Sequence, residues 1–209
     1  MYGNKLSGLL TDELILFKNV RDLILGGNLF SGPIPVNLGR LTSLERLVLD
    51  GNQLNGTLPH SLGHLLKLIH FDVADNLLEG IVFEAHFTNI INLREFYASR
   101  NRLTLKVSPN WIPPFQLEEV ELASWNLGPK FPIWVQSQKN LGYLDLSNTG
   151  ISDRIPIWFW NSSSSLYFLD LSHNQIYDEI PYILYPPTRS QSIYLSPNHF
   201  SGPIPRLSP

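Results

Sequence analysis

The sequence predicts an α/β solenoid. Its stacked coils form a right-handed superhelix, with a parallel β-sheet along the concave face and short 3₁₀ or loop segments on the convex face. Three observations lead there. A segment of fixed grammar recurs along the chain, leucines alternate with other residues inside it, and each leucine pair is followed by an asparagine and then by a glycine–proline element. Self-similarity at a period of tens of residues marks an array in which each unit completes its neighbour's core.

The register comes first. Leu23-Ile24-Leu25-Gly26-Gly27-Asn28 recurs as Leu47-Val48-Leu49-Asp50-Gly51-Asn52. The asparagine slot is filled in turn by Asn4, Asn28, Asn52, Asn76, Asn101, Trp125, Thr149, Asn174 and Asn198, at steps of 24 or 25 residues. Residues 1–209 therefore read as a single domain of about nine repeats, the first and last incomplete, with no capping unit at either end. Solenoids need polar caps for solubility, so the chain is expected to be an internal stretch of something longer.

The Leu-x-Leu element has period two, which puts both leucines on one face of a short strand. Stacking the coils sets Leu47 over Leu23 and Leu49 over Leu25, and each buried leucine contributes roughly 1.5–3 kcal/mol. One coil cannot bury that face by itself, so the array is stable only as a stack. The asparagine slot follows, where the strand turns away. Its amide can satisfy backbone groups that the turn leaves unpaired, giving a structural ladder through Asn4, Asn28, Asn52, Asn76, Asn101, Asn174 and Asn198. Next come Gly32, Gly56, Gly128 and Gly202, then Pro35, Pro59, Pro132, Pro156, Pro181 and Pro205. Glycine permits a left-handed turn, and proline keeps the preceding residue extended. Leu38-Gly39-x-Leu41 and Leu62-Gly63-x-Leu65 then read as a short convex-side helix or 3₁₀ turn.

The pattern breaks in four places. Trp125 takes a ladder slot, and an indole is expected to lose the asparagine bonds and distort the coil. Thr149 is milder, since a hydroxyl still donates. The coil of Asn76 has no proline and reads Phe83-Glu84-Ala85-His86-Phe87. The next coil carries Trp111-Ile112-Pro113-Pro114-Phe115-Gln116-Leu117, which cannot continue a helix.

Composition excludes several classes. The 209 residues are 43% hydrophobic and 16% charged with a net charge of −3, so the chain can bury a core and has no basic footprint for nucleic acid. No apolar run is long enough to span a membrane, and Met1-Tyr2-Gly3-Asn4-Lys5 lacks the apolar stretch of a signal peptide. There are no cysteines, hence no disulfides and no thiolate metal sites. No cofactor is expected.

The recurring L-x-x-L-x-L-x-x-N-x-L-x-G-x-I-P resembles the plant-specific class of extracellular leucine-rich repeats. Glu84-Ala85-His86-Phe87, Leu93-Arg94-Glu95-Phe96, Trp111-Ile112-Pro113-Pro114-Phe115-Gln116-Leu117, Leu127-Gly128-Pro129-Lys130-Phe131-Pro132 and Leu144-Asp145-Leu146-Ser147-Asn148-Thr149-Gly150-Ile151 are more specific. They are similar to receptor-like proteins of the ethylene-inducing xylanase receptor type. The resemblance covers the whole chain. It implies the ectodomain of a plasma-membrane receptor, facing the extracellular side, that perceives a protein, peptide or elicitor ligand in plant defence and signals through a partner co-receptor kinase. That family often has a cysteine where Trp125 stands. The signal peptide, caps, membrane helix and tail of the family are not matched here. The implied reading is therefore a recognition fragment without catalysis. A truncated, non-functional receptor product is an alternative. So is a secreted inhibitor of a microbial cell-wall-degrading enzyme, although that class has cysteine-rich caps. An enzyme on a parallel β-helix ranks last, because such coils lack the Gly-x-Ile-Pro element.

Candidate binding residues lie at the outward positions beside each inner leucine. One column reads Asp22, Arg46, His70, Glu95, Glu119, Tyr143, Phe168, Ser192, and the next Ile24, Val48, Asp72, Tyr97, Glu121, Asp145, Asp170, Tyr194. Seven of these sixteen are acidic and one is arginine, so the middle of the face suits a basic or polyhydroxylated partner. Tyr97, Tyr143, Phe168 and Tyr194 would be its aromatic anchors. The plain alternative is a solvated face bearing repeat-typical aspartates. Asp145 and Asp170 are close enough to suggest paired-carboxylate hydrolysis, but an open ladder is expected to leave their pKa values unshifted. His70 and His173 have no third ligand nearby for a metal, and the other histidines read as surface residues. Asn55-Gly56-Thr57 and Asn161-Ser162-Ser163 read as N-glycosylation acceptors if the chain is secreted, with chance occurrence the plain alternative. Trp134 and Trp158 read as packing between coils.

Overall fold

The computed structural model describes residues 1–162, 165–181 and 192–203. In chain order the strands are β1 (Ser7–Leu9), β2 (Asp22–Ile24), β3 (Leu29–Pro33), β4 (Arg46–Val48), β5 (Gln53–Gly56), β6 (His70–Asp72), β7 (Leu77–Val82) and β8 (Glu95–Tyr97). They continue as β9 (Arg102–Leu105), β10 (Glu119–Glu121), β11 (Tyr143–Asp145), β12 (Phe168–Asp170), β13 (Tyr177–Glu179), β14 (Ser192–Tyr194) and β15 (His199–Ser201). Every pairing among the described residues is parallel, as a chain that returns to the same sheet in each coil requires.

The concave sheet has eight strands in the order β14-β12-β11-β10-β8-β6-β4-β2. Each central residue is an inner leucine or its substitute, and the column Leu47, Phe71, Phe96, Val120, Leu144, Leu169 is buried. The register is unshifted throughout: Leu23 faces Leu47, Leu47 faces Phe71, and Phe71 faces Phe96. On the opposite side 3₁₀ turns occupy Val36–Arg40, His60–His64 and Ile133–Ser137, each entered through an extended proline. One α-helix, α1 (Ile157–Ser162), replaces that turn in a later coil. The glycine of Leu-Gly-x-Leu is a packing requirement, because a Cβ on Gly39 would stand 2.1 Å from the Ser61 carbonyl oxygen of the next coil.

A second sheet was not expected. The residues after the asparagine slot pair as β1-β3-β5-β7-β9 along one flank, and β13 pairs with β15 further on. Between these the flank sheet lapses to a single bridge, Thr104 to Asn126.

The ladder accounts for the turns. Asn52 Nδ2 donates to the carbonyls of Leu25, Leu49 and Asp50, while its Oδ1 accepts the N–H of Phe30 from the coil before. Asn28, Asn76, Asn101 and Asn174 do the same in their coils, and Asn198 repeats the bonds to Leu171, Leu195 and Ile176. Asn4, at the exposed first coil, keeps the bonds to Met1 and Tyr2. Thr149 Oγ1 donates to Leu146 O at 2.7 Å, as its hydroxyl promised.

Trp125 corrects the expectation of distortion. Its Nε1–H donates to Ala98 O at 2.8 Å, the cross-coil bond that asparagine makes elsewhere. The residue before the slot stays left-handed there, with Ser124 at φ 68° against 57° at Arg100 and 53° at Asn148. What the indole lacks is an acceptor for the preceding coil. It fills that space with apolar surface instead, packing edge-on to Phe96 at 5.9 Å. Phe87, Trp111, Phe115 and Trp134 complete an aromatic interior around it, enclosing an apolar cavity of about 20 Å³.

His86 is a second correction, since it is 3% exposed and no surface residue. It stands where earlier coils bury Leu38 and Leu62. Its Nε2 lies 3.1 Å from Leu58 O and its Nδ1 3.0 Å from Phe83 N. A neutral ring satisfies both when Nε2–H donates and Nδ1 accepts. A proline at 83 would have no N–H to offer, so the missing proline and the buried histidine are one substitution in two places.

Candidate functional site

The concave strands expose their first and third residues, and the two outward columns align as the period-two reading requires. Glu95, Glu119, Tyr143 and Phe168 stand in register, as do Tyr97, Glu121, Asp145, Asp170 and Tyr194. Asp72 precedes Tyr97 in the second column, and His70 precedes Glu95 in the first.

Neighbouring columns interlock. His70 Nδ1 contacts the Glu95 carboxylate, and the Tyr97 hydroxyl donates to Glu119 Oε2. The Tyr167 hydroxyl donates to Glu119 Oε1 at 2.5 Å, so tyrosines occupy both oxygens of that carboxylate. Tyr143 and Phe168 stack face to face at 4.1 Å and 4°, and Tyr194 follows at 5.5 Å from Phe168. Three rings thus form a continuous aromatic strip across β11, β12 and β14.

Carboxylates fill the third-residue column, Asp145 and Asp170 beside the strip and Asp72 three strands away on β6. Asp72, Asp145 and Asp170 each use Oδ1 to accept the N–H two residues on, at 3.0, 2.8 and 2.8 Å, closing the strand end as an Asx turn. One oxygen of each is therefore structural, and at Asp145 the Ser147 side chain bonds the carboxylate as well. Burial pushes the Asp72 carboxyl up to about 6, opposed by its bond from Ala74 and assisted by Asp50. Burial also raises Glu121, with Asp145 adding to it, and raises Asp145 against the bond from Ser147. The open sheet was expected to leave Asp145 unshifted. It does not, because ring and strand neighbours half-cover it. Burial pushes Tyr167 up to about 12, helped by its bond to Glu119, and lifts Tyr97 and Tyr143 above the ordinary phenol range. The nearest cation, Arg100, is committed to Asp75 through two hydrogen bonds, which hold the Asp75 carboxyl low.

Tyr167 was missed from sequence because it precedes its strand, outside the alternating columns. A signal existed at Gly142. Its column carries Arg94 and Glu118 in earlier coils, and a Cβ at 142 would meet the Tyr167 ring at 2.7 Å. Glycine there lets the ring reach back two coils to Glu119.

Among the described residues no cluster of histidines and carboxylates is arranged to hold a metal ion. Asn55 is exposed on β5 of the flank sheet, and Asn161 is exposed on α1. Ser163 of the second sequon, and Pro205, lie outside the described residues. Trp134 is buried against Trp111 at 6.4 Å, and Trp158 packs edge-on to Phe131 at 6.0 Å, both as interior packing.

The Leucine Rich Repeat family model matches residues 43–65, 140–162 and 165–186. Receptor-like protein EIX1 of Solanum lycopersicum is 43% identical over 128 residues, covering 61% of this chain and 12% of that protein. Receptor-like protein 14 of Arabidopsis thaliana is 45% identical over 151 residues, covering 71% of this chain. This chain spans 15% of its length. Among solved structures, the plant peptide hormone receptor RGFR1 in complex with RGF2 superposes with a TM-score of 0.82 at 28% identity, over 94% of this chain and 31% of that one. The Arabidopsis receptor kinase HAESA, in complex with the peptide hormone IDA and the co-receptor SERK1, gives 0.70 at 25% identity over 98% of this chain and 38% of that one. In fold and in sequence, this chain is a run of plant leucine-rich repeats of the receptor-like-protein kind.

Proposed function

We propose that the chain is a recognition surface of a plant cell-surface receptor-like protein in defence signalling. It would bind a peptide or protein elicitor on its concave sheet and act with a co-receptor kinase on the extracellular side of the plasma membrane. The observation that carries this reading is the strip Tyr143–Phe168–Tyr194 bordered by Glu121, Asp145 and Asp170. Flat rings supply rigid apolar area at low entropic cost, and the bordering carboxylates attract a cation held over or beside a ring. The fitting ligand is an extended peptide with a lysine or arginine next to an apolar side chain. The solved receptors named above hold peptide hormones, which supports the same class here. Recognition is favoured over hydrolysis because the aspartates spend one oxygen on their own turns and stand on an open sheet without a closed pocket. Asn55 and Asn161 would carry N-linked glycans on the flank and convex sides, clear of the strip. Among the described residues no helix is long and apolar enough to cross a membrane.

The test is an array of secreted microbial peptides probed with the chain. A bound basic–apolar peptide should lose about tenfold in affinity, roughly 1.4 kcal/mol, on either Phe168→Ala or Glu121→Ala. Ligands that ignore both substitutions would place recognition elsewhere.

A further inference from the structure

Away from the concave face, the flank sheet comes apart between two coils. β9 is paired with β7 on one side, but beyond the bridge at Asn126 the next coil turns its N–H groups the other way. Leu127 and Gly128 both donate forward to Thr149 O, at 3.0 and 3.1 Å, and Pro129 has no N–H. The two coils part here, and a groove of about 340 Å³ opens between Leu105–Pro109 and Leu127–Trp134. That is within the range of sites that hold small ligands or short peptides.

Three features give the groove a preference. Leu105, Leu127 and Phe131 line it as an apolar floor. Lys106 and Lys130 stand on its rim, and the acids nearby are already engaged. Glu84 accepts the N–H of Ser108 at 2.6 Å, and Asp153 accepts those of Phe131 and Arg154. Lys106 forms no ion pair among the described residues, and Lys130 is 80% exposed, at 3.6 Å from Asp153. The third feature is Trp134, which also lines the groove. It is 7% exposed, and its indole N–H is buried without an acceptor among the described residues. That donor has no surface open to solvent, so what Trp134 offers the groove is an apolar wall and a spectroscopic reporter.

We propose that this groove is a second docking site, independent of the concave strip, for an extended peptide segment that carries an acidic side chain beside an apolar one. The apolar side chain takes the floor against the Trp134 ring, and the carboxylate lies between Lys106 and Lys130. The charge preference is opposite to that of the concave sheet, so one chain offers two surfaces that select different partners.

The test uses two capped pentapeptides, Leu-Asp-Leu-Asp-Leu and Leu-Lys-Leu-Lys-Leu, titrated into the nitrogen-15-labelled chain. The chain has five tryptophans, and Trp134→Phe identifies the Trp134 indole N–H resonance. The acidic peptide should move that resonance saturably, and the lysine peptide should not. Lys106→Glu with Lys130→Glu should weaken the acidic peptide at least tenfold, while Phe168→Ala and Glu121→Ala leave it unchanged. No saturable shift at concentrations on the order of 1 mM, or equal shifts with both peptides, overturns the proposal. Because the concave variants are a separate arm, failure here leaves the peptide-receptor reading standing, and the reverse also holds.

Discussion

Replacing His86 by leucine restores the residue that the repeat buries at Leu38 and Leu62, yet the substitution should destabilise the protein at neutral pH. The leucine leaves Phe83 N–H and Leu58 O without the partners that the imidazole supplies at 3.0 and 3.1 Å. Each orphaned buried backbone group costs about 1–3 kcal/mol, so the two together outweigh the roughly 1.5–3 kcal/mol that a buried leucine contributes. The pH dependence separates this account from a simple packing defect. Burial holds the His86 pKa below the ordinary imidazole value of 6.5, with the stacked His60 ring at 4.1 Å pushing the same way. The carbonyl oxygens of Phe83 and Leu58, each beside a ring nitrogen, favour the charged ring and oppose the shift. The unfolded chain therefore takes up the proton first. His86 contributes fully above pH 6.5, and its contribution is lost as pH falls below that value toward the folded pKa. For one histidine the loss has a limiting slope of about 1.4 kcal/mol per pH unit, so by pH 5.5 it reaches at most about 1.4 kcal/mol. Urea unfolding at pH 7.5 and 5.5 measures it as the difference between wild type and His86→Leu. That difference should shrink on acidification. Phe83→Pro alone should also destabilise, because Phe83 sits at φ −116° while Pro59 sits at −73°. The double variant Phe83→Pro with His86→Leu should recover part of the sum, since each change removes the other's stranded partner. A wild-type-to-leucine difference that is flat with pH would refute the reasoning.

Asp72→Asn should stabilise the protein at pH 7.5 by up to about 3 kcal/mol. A carboxyl raised from 3.8 to about 6 favours folding when protonated, and that advantage is lost as pH rises through 6; the gain should vanish below about pH 4 in the same urea assay. Asn52→Ala strips three carbonyls and one N–H of their partner and should cost at least about 3 kcal/mol, read from the unfolding midpoint. Trp125→Asn, although it restores the repeat residue, should cost about 3–5 kcal/mol by enlarging the cavity beside it, whereas Trp125→Phe should cost about 1–2 kcal/mol for the lost bond to Ala98. Gly142→Ala should displace the Tyr167 ring from Glu119, which ultraviolet titration would detect as a tyrosine ionising earlier than about 12.

The sequence alone determined the solenoid, its register and the two outward columns. A repeated period-two element admits one arrangement that buries every inner leucine, and one shared register then places Glu121 beside Asp145 and Tyr143 beside Phe168 without coordinates. Tertiary structure decided whatever depends on contact between coils. Trp125 looked like a lost asparagine until the cross-coil carbonyl of Ala98 was seen to accept from its ring. His86 looked like a surface residue until its two backbone partners, three and twenty-eight residues away, fixed it inside. The flank sheet, the place where it parts, and the reach of Tyr167 over Gly142 depend on how a side chain or strand edge in one coil meets the next. A one-dimensional repeat pattern records which residues are equivalent, but leaves open the distances between unlike residues in neighbouring coils, and those distances set the hydrogen bonds, the half-burial of the carboxylates and the groove.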